Sequence, residues 1–369
     1  MGTQRRWNTR LIAALLDARR VLAVAAGACA AIAATCARGG GPAEADWLAH
    51  TNNAVAALTS STGVTLVTTL GLTSGKTWRD VSNQALAYTP ATGEWRTLPP
   101  VPGPGRLAAT AQAVRGKVYV FGGYSVDSAG NERSVPNVDV YDPATNNWSR
   151  GADMPTPVDD AVSGTYRDSL IYVVSGWRDT DNVRDVQIYD ATQDEWLAAT
   201  PFPGTPVFGH SGGLAGNTLV IVDGTRRNDV RPRYSIVNQA WRGDIDPAMP
   251  QNITWRRITN HNGPALYRAA GGACGDHVIV VGGTDTPYNY SGIGYDGNPA
   301  SPRDEIFAYD TRLDKWQSLG QAPEASMDHR ALVTTTEGIG WTVGGMRTGP
   351  QVSADVMRLA LPPCRQSSP

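Results

Sequence analysis

Short runs of β-branched and aromatic residues recur along this chain, each ending on a small residue followed by glycine. They read Val118-Tyr-Val-Phe-Gly-Gly123, Ile171-Tyr-Val-Val-Ser-Gly176, Leu219-Val-Ile-Val-Asp-Gly224, Val278-Ile-Val-Val-Gly-Gly283 and Trp341-Thr-Val-Gly-Gly345, with a weaker first copy ending at Gly71. Runs of this length bounded by turn residues predict buried strands. A second pattern lies downstream of most copies, where a tyrosine is followed seven positions later by a tryptophan: Tyr88 and Trp95, Tyr141 and Trp148, Tyr189 and Trp196, Tyr309 and Trp316. The residues between them are turn formers, so each copy predicts strand, tight turn, strand. The last glycines, Gly71, Gly123, Gly176, Gly224, Gly283 and Gly345, are spaced by 52, 53, 48, 59 and 62 residues. Self-similarity near fifty residues points to a solenoid, propeller or array.

Each unit offers about four short strands, and a sheet that is apolar on both faces cannot bury itself alone. Stacking six such sheets around an axis covers every face and leaves only short edges. The repeated Tyr and Trp are then core, each able to bury roughly 150 to 250 Å² against the next sheet. Diglycine, tyrosine and tryptophan in this order resemble the Kelch family of β-propellers, over about residue 46 to the end. The resemblance implies an all-β fold, a six-bladed Kelch-type β-propeller with four antiparallel strands per blade, labelled a to d from the axis outward. The last blade lacks a Trp-bearing outer strand after Val356-Met-Arg-Leu-Ala-Leu-Pro, while Asp46-Trp47-Leu48-Ala49-His50 supplies one near the other end. Trp47 is therefore expected to complete blade six, so that an N-terminal strand closes the ring and leaves no open edge.

Composition agrees with a turn-rich all-β chain: 40 Gly and 25 Pro in 369 residues, 41% hydrophobic and 18% charged. The formal net charge of −2 implies no nucleic acid partner. The first 45 residues differ. Arg5, Arg6, Arg10, Arg19 and Arg20 precede an alanine-rich apolar run from Val21 to Ala37, and Ala43-Glu44-Ala45 follows as a small-x-small site. This is the layout of a bacterial-type export signal, giving residues 1–45 as signal and 46–369 as propeller, periplasmic or secreted. The run is short and weakly apolar for a membrane span, so no stable span is expected after its removal. Arg19-Arg20 also faintly resembles a twin-arginine signal. Cys36 is a lipoprotein alternative, although the usual leucine three positions earlier is missing. Removal of the signal leaves Cys274 and Cys364, read as two free thiols ahead of a disulfide permitted by an exported compartment. Isolated cysteines without CxxC spacing make no zinc site, and the glycines end strands rather than open helices, so no metal, nucleotide or other cofactor is expected.

Function has to be sought in the loops, because the fold hosts many activities. The b-to-c loops and the d-to-a links share one face. Arg178, Arg226 and Arg347 each stand two residues past a glycine marker, and Arg106, Arg268 and Arg330 stand near the start of strand a. Guanidinium groups match carboxylates in paired hydrogen bonds. Their convergence predicts a channel mouth for a small acidic or carbohydrate ligand, or an acidic protein segment. The competing reading pairs each arginine with a neighbour such as Asp159, Asp160, Asp285 or Asp328 and only ties blades together. Two long insertions are expected to wall the site. One runs from Gly283 to Ile306 with Tyr288, Tyr290 and Tyr295; the other runs from Arg226 to about Ile253 with Arg227, Arg231, Arg233, Tyr234 and Trp241.

Among enzymes of related fold, galactose oxidase needs a Tyr-His pair that this sequence lacks. The layout is closer to the exported six-bladed Kelch mutarotases that interconvert anomers of sialic acid. In that family the loop after the blade-four glycine looks like Asn-Gly-Glu with an arginine six residues on. Here the stretch is Asp223-Gly224-Thr225, followed by Arg231. A threonine without a partner is no base near neutral pH, so the resemblance would pass catalysis to His210, His329 or Asp160. A sugar mutarotase or epimerase acting on an acidic sugar is thus the alternative to a binding module.

Overall fold

The computed structural model describes residues 35–37, 46–61 and 63–361. Six four-stranded antiparallel sheets follow one another along the chain. Blade one is Ala54–Ser60, Gly63–Thr69, Ala85–Thr89 and Glu94–Thr97; blade two is Thr110–Val114, Lys117–Phe121, Val138–Asp142 and Asn147–Arg150. Blade three is Val162–Tyr166, Leu170–Val174, Val186–Asp190 and Glu195–Ala198; blade four is Ser211–Ala215, Thr218–Val222, Ala240–Ile245 and Ile253–Arg257. Blade five is Ala270–Cys274, His277–Val281, Glu305–Asp310 and Lys315–Gln321. Blade six has Val333–Thr334, Ile339–Val343 and Val356–Ala360, with Thr35–Ala37 as its outer strand. Successive a strands touch all the way round, blade six meeting blade one again. No helix among the described residues is long and apolar enough to cross a membrane.

The aromatic repeat explains why sheets stack. Each Tyr faces its Trp across the c–d pair, as in Tyr141 and Trp148 or Tyr309 and Trp316, with ring centroids 5.3 and 5.2 Å apart. The indole N–H then reaches back to the preceding blade: Trp148 donates to Pro99 O at 2.8 Å, Trp196 to Ala152 O at 2.9 Å and Trp316 to Thr259 O at 2.7 Å. Blade four keeps only the staple. Its Trp255 donates to Thr200 O at 3.2 Å, but the residue across the pair is Gly243, so the tyrosine signal is missing there.

The glycine markers mark a crowded crossing. Gly123 has φ +87°, and a Cβ on it would lie 2.7 Å from Leu107 O; Gly176 has φ +113° and would meet Asp159 O at 2.6 Å. The residue after each marker pairs antiparallel with the incoming d-to-a link, giving Thr51 with Leu72, Leu107 with Tyr124, Asp159 with Trp177 and three further equivalents. A side chain at the glycine would push that link away.

Three expectations need correction. Ring closure uses an N-terminal strand, but it is Thr35–Ala37, paired with Val356, Met357 and Arg358. Trp47 lies in a short 3-10 turn and is 40% exposed, because the chain must by then be descending into blade one. The closing strand falls inside the stretch read as export signal, most of which lies outside the described residues, as does Cys364. Cys274 is disulfide-bonded rather than a free thiol. Finally, the second insertion ends early: Trp241 is in strand c of blade four against Phe202, so only the 225–236 hairpin can wall a site.

Candidate functional site

Six residues that enter the a strands build the neck of the propeller. Asn52, Ala108, Asp160, Gly209, Arg268 and Asp328 all have left-handed backbones, with φ between +51° and +68°. That turn points their peptide groups around the axis. Ala108 N–H donates to Asn52 O, Asp160 to Ala108 O, Gly209 to Asp160 O and Arg268 to Gly209 O, at 2.7 to 3.2 Å. Asn52 N–H donates to Asp328 O, and His329 N–H to Arg268 O, each at 3.2 Å. A closed collar of backbone hydrogen bonds thus joins one residue from every blade, with a one-residue step at blade six.

The collar brings side chains that are far apart in sequence into contact. Arg268 donates to both oxygens of Asp160, at 3.2 and 2.6 Å, and to Asp328 Oδ1 at 3.0 Å. Arg330 pairs with Asp160 and lies 3.7 Å from Asp328. Thr51 and Tyr288 donate to Asp328 at 2.6 and 3.1 Å. Two buried cations therefore face two buried anions, and Tyr267 and Tyr288 cover the Arg268 guanidinium at 4.9 and 5.2 Å from their ring centroids. Burial lowers Arg330 to about 9, still charged at neutral pH. An apolar cluster including Leu107, Phe208, Tyr267, Met327 and Met346 lies over this network on the loop side.

The sequence-derived residues consequently separate. Arg106 pairs with buried Asp139 at 2.7 Å, away from the axis. Arg347 binds Asp355 at 2.7 Å and Ala325 O at 3.1 Å. Arg178, Arg226 and Arg231 are exposed on loop hairpins. His210 and His329 are buried core residues: His210 Nε2 donates to Val174 O at 3.0 Å, and His329 Nε2 is 2.7 Å from Ser326 Oγ. Burial lowers them to about 4 and about 3, so both are neutral. The Thr225 hydroxyl is buried without a partner.

Beside this network, the loops of blades two to five enclose a cleft of about 470 Å³. Its floor is Asp159, Asp160 and Arg268, and its walls include Trp177, Tyr234, Tyr290 and Tyr295. Hairpins set these walls: Tyr124–Val126 with Glu132–Ser134 from blade two, Trp177–Arg178 with Asp181–Asn182 from blade three, and Thr225–Arg227 with Tyr234–Ile236 from blade four. Tyr234 stacks on Tyr295 of the blade-five loop with centroids 4.3 Å apart, dividing the cleft from a neighbouring hollow of about 520 Å³ flanked by Arg231 and Arg233. Asp159 is 3% exposed and accepts from Ser134 Oγ at 2.6 Å. Desolvation raises it to about 8, and the charge of Glu132 adds to the rise. Glu132 reaches solvent at the rim, yet the crowding walls raise its carboxyl too. Sequence reading named Asp159 only as an ion-pair partner and missed Glu132, Trp177 and Phe208. Their signal lies in the link-to-marker pairing, which sets Asp159 beside Trp177, and no local motif carries it. Among the described residues, no group of three or more His, Cys, Asp or Glu side chains is placed to hold a metal ion.

Comparison with known proteins matches this architecture. The family profile of the Kelch motif fits residues 105–155, which span all four strands of blade two. The fold is a six-bladed Kelch-type β-propeller. The solved structure of YjhT superposes on the propeller with a TM-score of 0.65 over 84% of this chain and 94% of that one, at 17% identity. Kelch-like protein terF of Aspergillus terreus is 31% identical over 58% of the chain and 47% of its own length. Kelch-like protein 15 of Gallus gallus is 27% identical over 35% of the chain and 26% of its own length. The propeller thus matches only about a quarter to a half of the length of these curated relatives.

Proposed function

We propose that the propeller binds a small carbohydrate in the off-axis cleft bounded by blades two to five. The observation that carries this reading is the aromatic wall of Trp177, Tyr234, Tyr290 and Tyr295 around a cavity of about 470 Å³ with carboxyls and Arg268 on its floor. Flat rings stack on the apolar faces of sugars while buried polar groups take the hydroxyls. An arginine-gripped anion has less support, because Arg268 and Arg330 are already held by Asp160 and Asp328. Arg231 and Arg233 beside the neighbouring hollow are the remaining candidates for an acidic ligand or acidic protein segment, and Asp285 and Asp296 line the same hollow. Calorimetry against a panel of monosaccharides and short glycans tests the reading: Trp177→Ala and Tyr290→Ala should each weaken binding roughly tenfold, about 1.4 kcal/mol. Unchanged affinity in both variants would refute it.

A second reading, a sugar mutarotase or epimerase, draws support from Asp159 and Glu132. A carboxyl that holds its proton near neutrality next to one that can accept a proton is the pairing that hemiacetal opening requires. The roles that the mutarotase resemblance would pass to His210, His329 and Asp160 find little geometric support. The two histidines are buried, and Asp160 is held by two arginines. An NMR exchange assay with sialic acid and neutral sugars decides it: anomer exchange at the buffer rate for all of them rules the reaction out. An exported setting, periplasmic or secreted, belongs to the same proposal and rests on the arginine-led apolar run before residue 45. Fractionation of cells expressing the full chain tests it, and retention in the cytoplasm would count against it.

A further inference from the structure

We propose that the sugar taken by this cleft carries a cationic nitrogen, seated between Glu132 and Asp159 and against the aromatic wall, so that an amino sugar is preferred to a neutral or acidic one. The inference rests on the carbohydrate reading of the same cleft and adds the sign of the ligand's charge. The collar network is internally balanced, two arginines against Asp160 and Asp328. What remains facing the cavity is Glu132, Asp159 and Asp179 against Arg233, whose guanidinium lies 5.5 Å from the Tyr234 ring centroid. Asp179 accepts the Ser134 N–H at 3.0 Å, whereas Glu132 and Asp159 make no ion pair among the described residues.

A carboxyl removed from water with one hydroxyl donor and no direct ion pair holds its proton, as Asp159 does. The charged and titratable groups facing it are Glu132 and Tyr124 from blade two, Asp179 from blade three, Arg268 and Arg330 from blades five and six, and its neighbour Asp160. An ammonium group placed there would ionise Asp159, and the ring faces of Trp177 and Tyr290 would add cation–π attraction. A sugar carboxylate would instead lie beside the carboxyl groups of Glu132 and Asp159, with Arg268 already held by Asp160 and Asp328.

Titration calorimetry at pH 7 with glucosamine, glucose, N-acetylglucosamine and glucuronic acid, in two buffers of different ionisation enthalpy, tests this. Glucosamine should bind at least tenfold more tightly than glucose or N-acetylglucosamine and should release a proton as Asp159 ionises. In the Glu132→Gln, Asp159→Asn double variant, that preference and the proton release should vanish, with glucosamine binding no more tightly than glucose. Equal affinity for glucosamine and glucose would overturn the inference and leave the carbohydrate reading standing, and so would a preference for glucuronic acid. Refusal of all four sugars would overturn both readings, even if the non-sugar cation choline bound.

Discussion

Asp159 is where burial and proton binding are most tightly coupled. Its folded value of about 8 lies above the ordinary aspartate value of about 3.9, so the folded chain keeps a proton that the unfolded chain has lost. Stability from this group is full below about pH 4 and is lost as pH rises towards 8. His210 and His329 act oppositely: their lowered values mean that stability falls as pH drops below about 6.5. Asp159→Asn keeps the acceptor for Ser134 Oγ and removes the titration. Urea midpoints measured from pH 5 to pH 8.5 should therefore fall less steeply in the variant than in the parent. Gly123 is a second sensitive position. Its φ of +87° and the 2.7 Å approach to Leu107 O mean that Gly123→Ala should cost on the order of 1–3 kcal/mol, read from the same midpoints. The glycine's role as a marker was legible in sequence; the unusual proton of Asp159 was not, since it depends on walls contributed by other blades.

At the scale of elements, the indole staples and the collar do different work. Each staple ties an outer strand to the preceding blade through one hydrogen bond, so Trp148→Phe should cost about 1 kcal/mol with the ring packing largely kept. The collar holds charge as well as backbone. Arg268→Met leaves Asp160 and Asp328 with less compensation at the axis, and a loss of about 3–5 kcal/mol is expected in equilibrium unfolding. The strand runs and the Tyr-to-Trp turns were readable because their periodicity is local. Blade four hid its copy because Gly243 stands where the tyrosine would be, and Trp241 was misread as loop for the same reason. Arg268 and Arg330 were among the arginines singled out near the start of strand a. Their partners could not be ranked, since Asp160 and Asp328 lie 108 and 60 positions from Arg268.

At the scale of the whole molecule, closure of the ring pairs segments more than 300 positions apart in sequence. Blade six receives its outer strand from Thr35–Ala37, so a chain beginning at Asp46 should melt below one beginning before Thr35. Differential scanning calorimetry of the two chains checks this, and equal melting temperatures would mean that the strand contributes nothing to blade six. The fifty-residue repeat, the blade count and the sheet order follow from sequence alone, because strand length, turn chemistry and glycine placement are properties of neighbouring residues. The closing strand, the pairing of the axial arginines and the position of the cleft were decided only by tertiary structure. Each depends on which residues the ring brings together from different blades, and no short window of sequence carries that information.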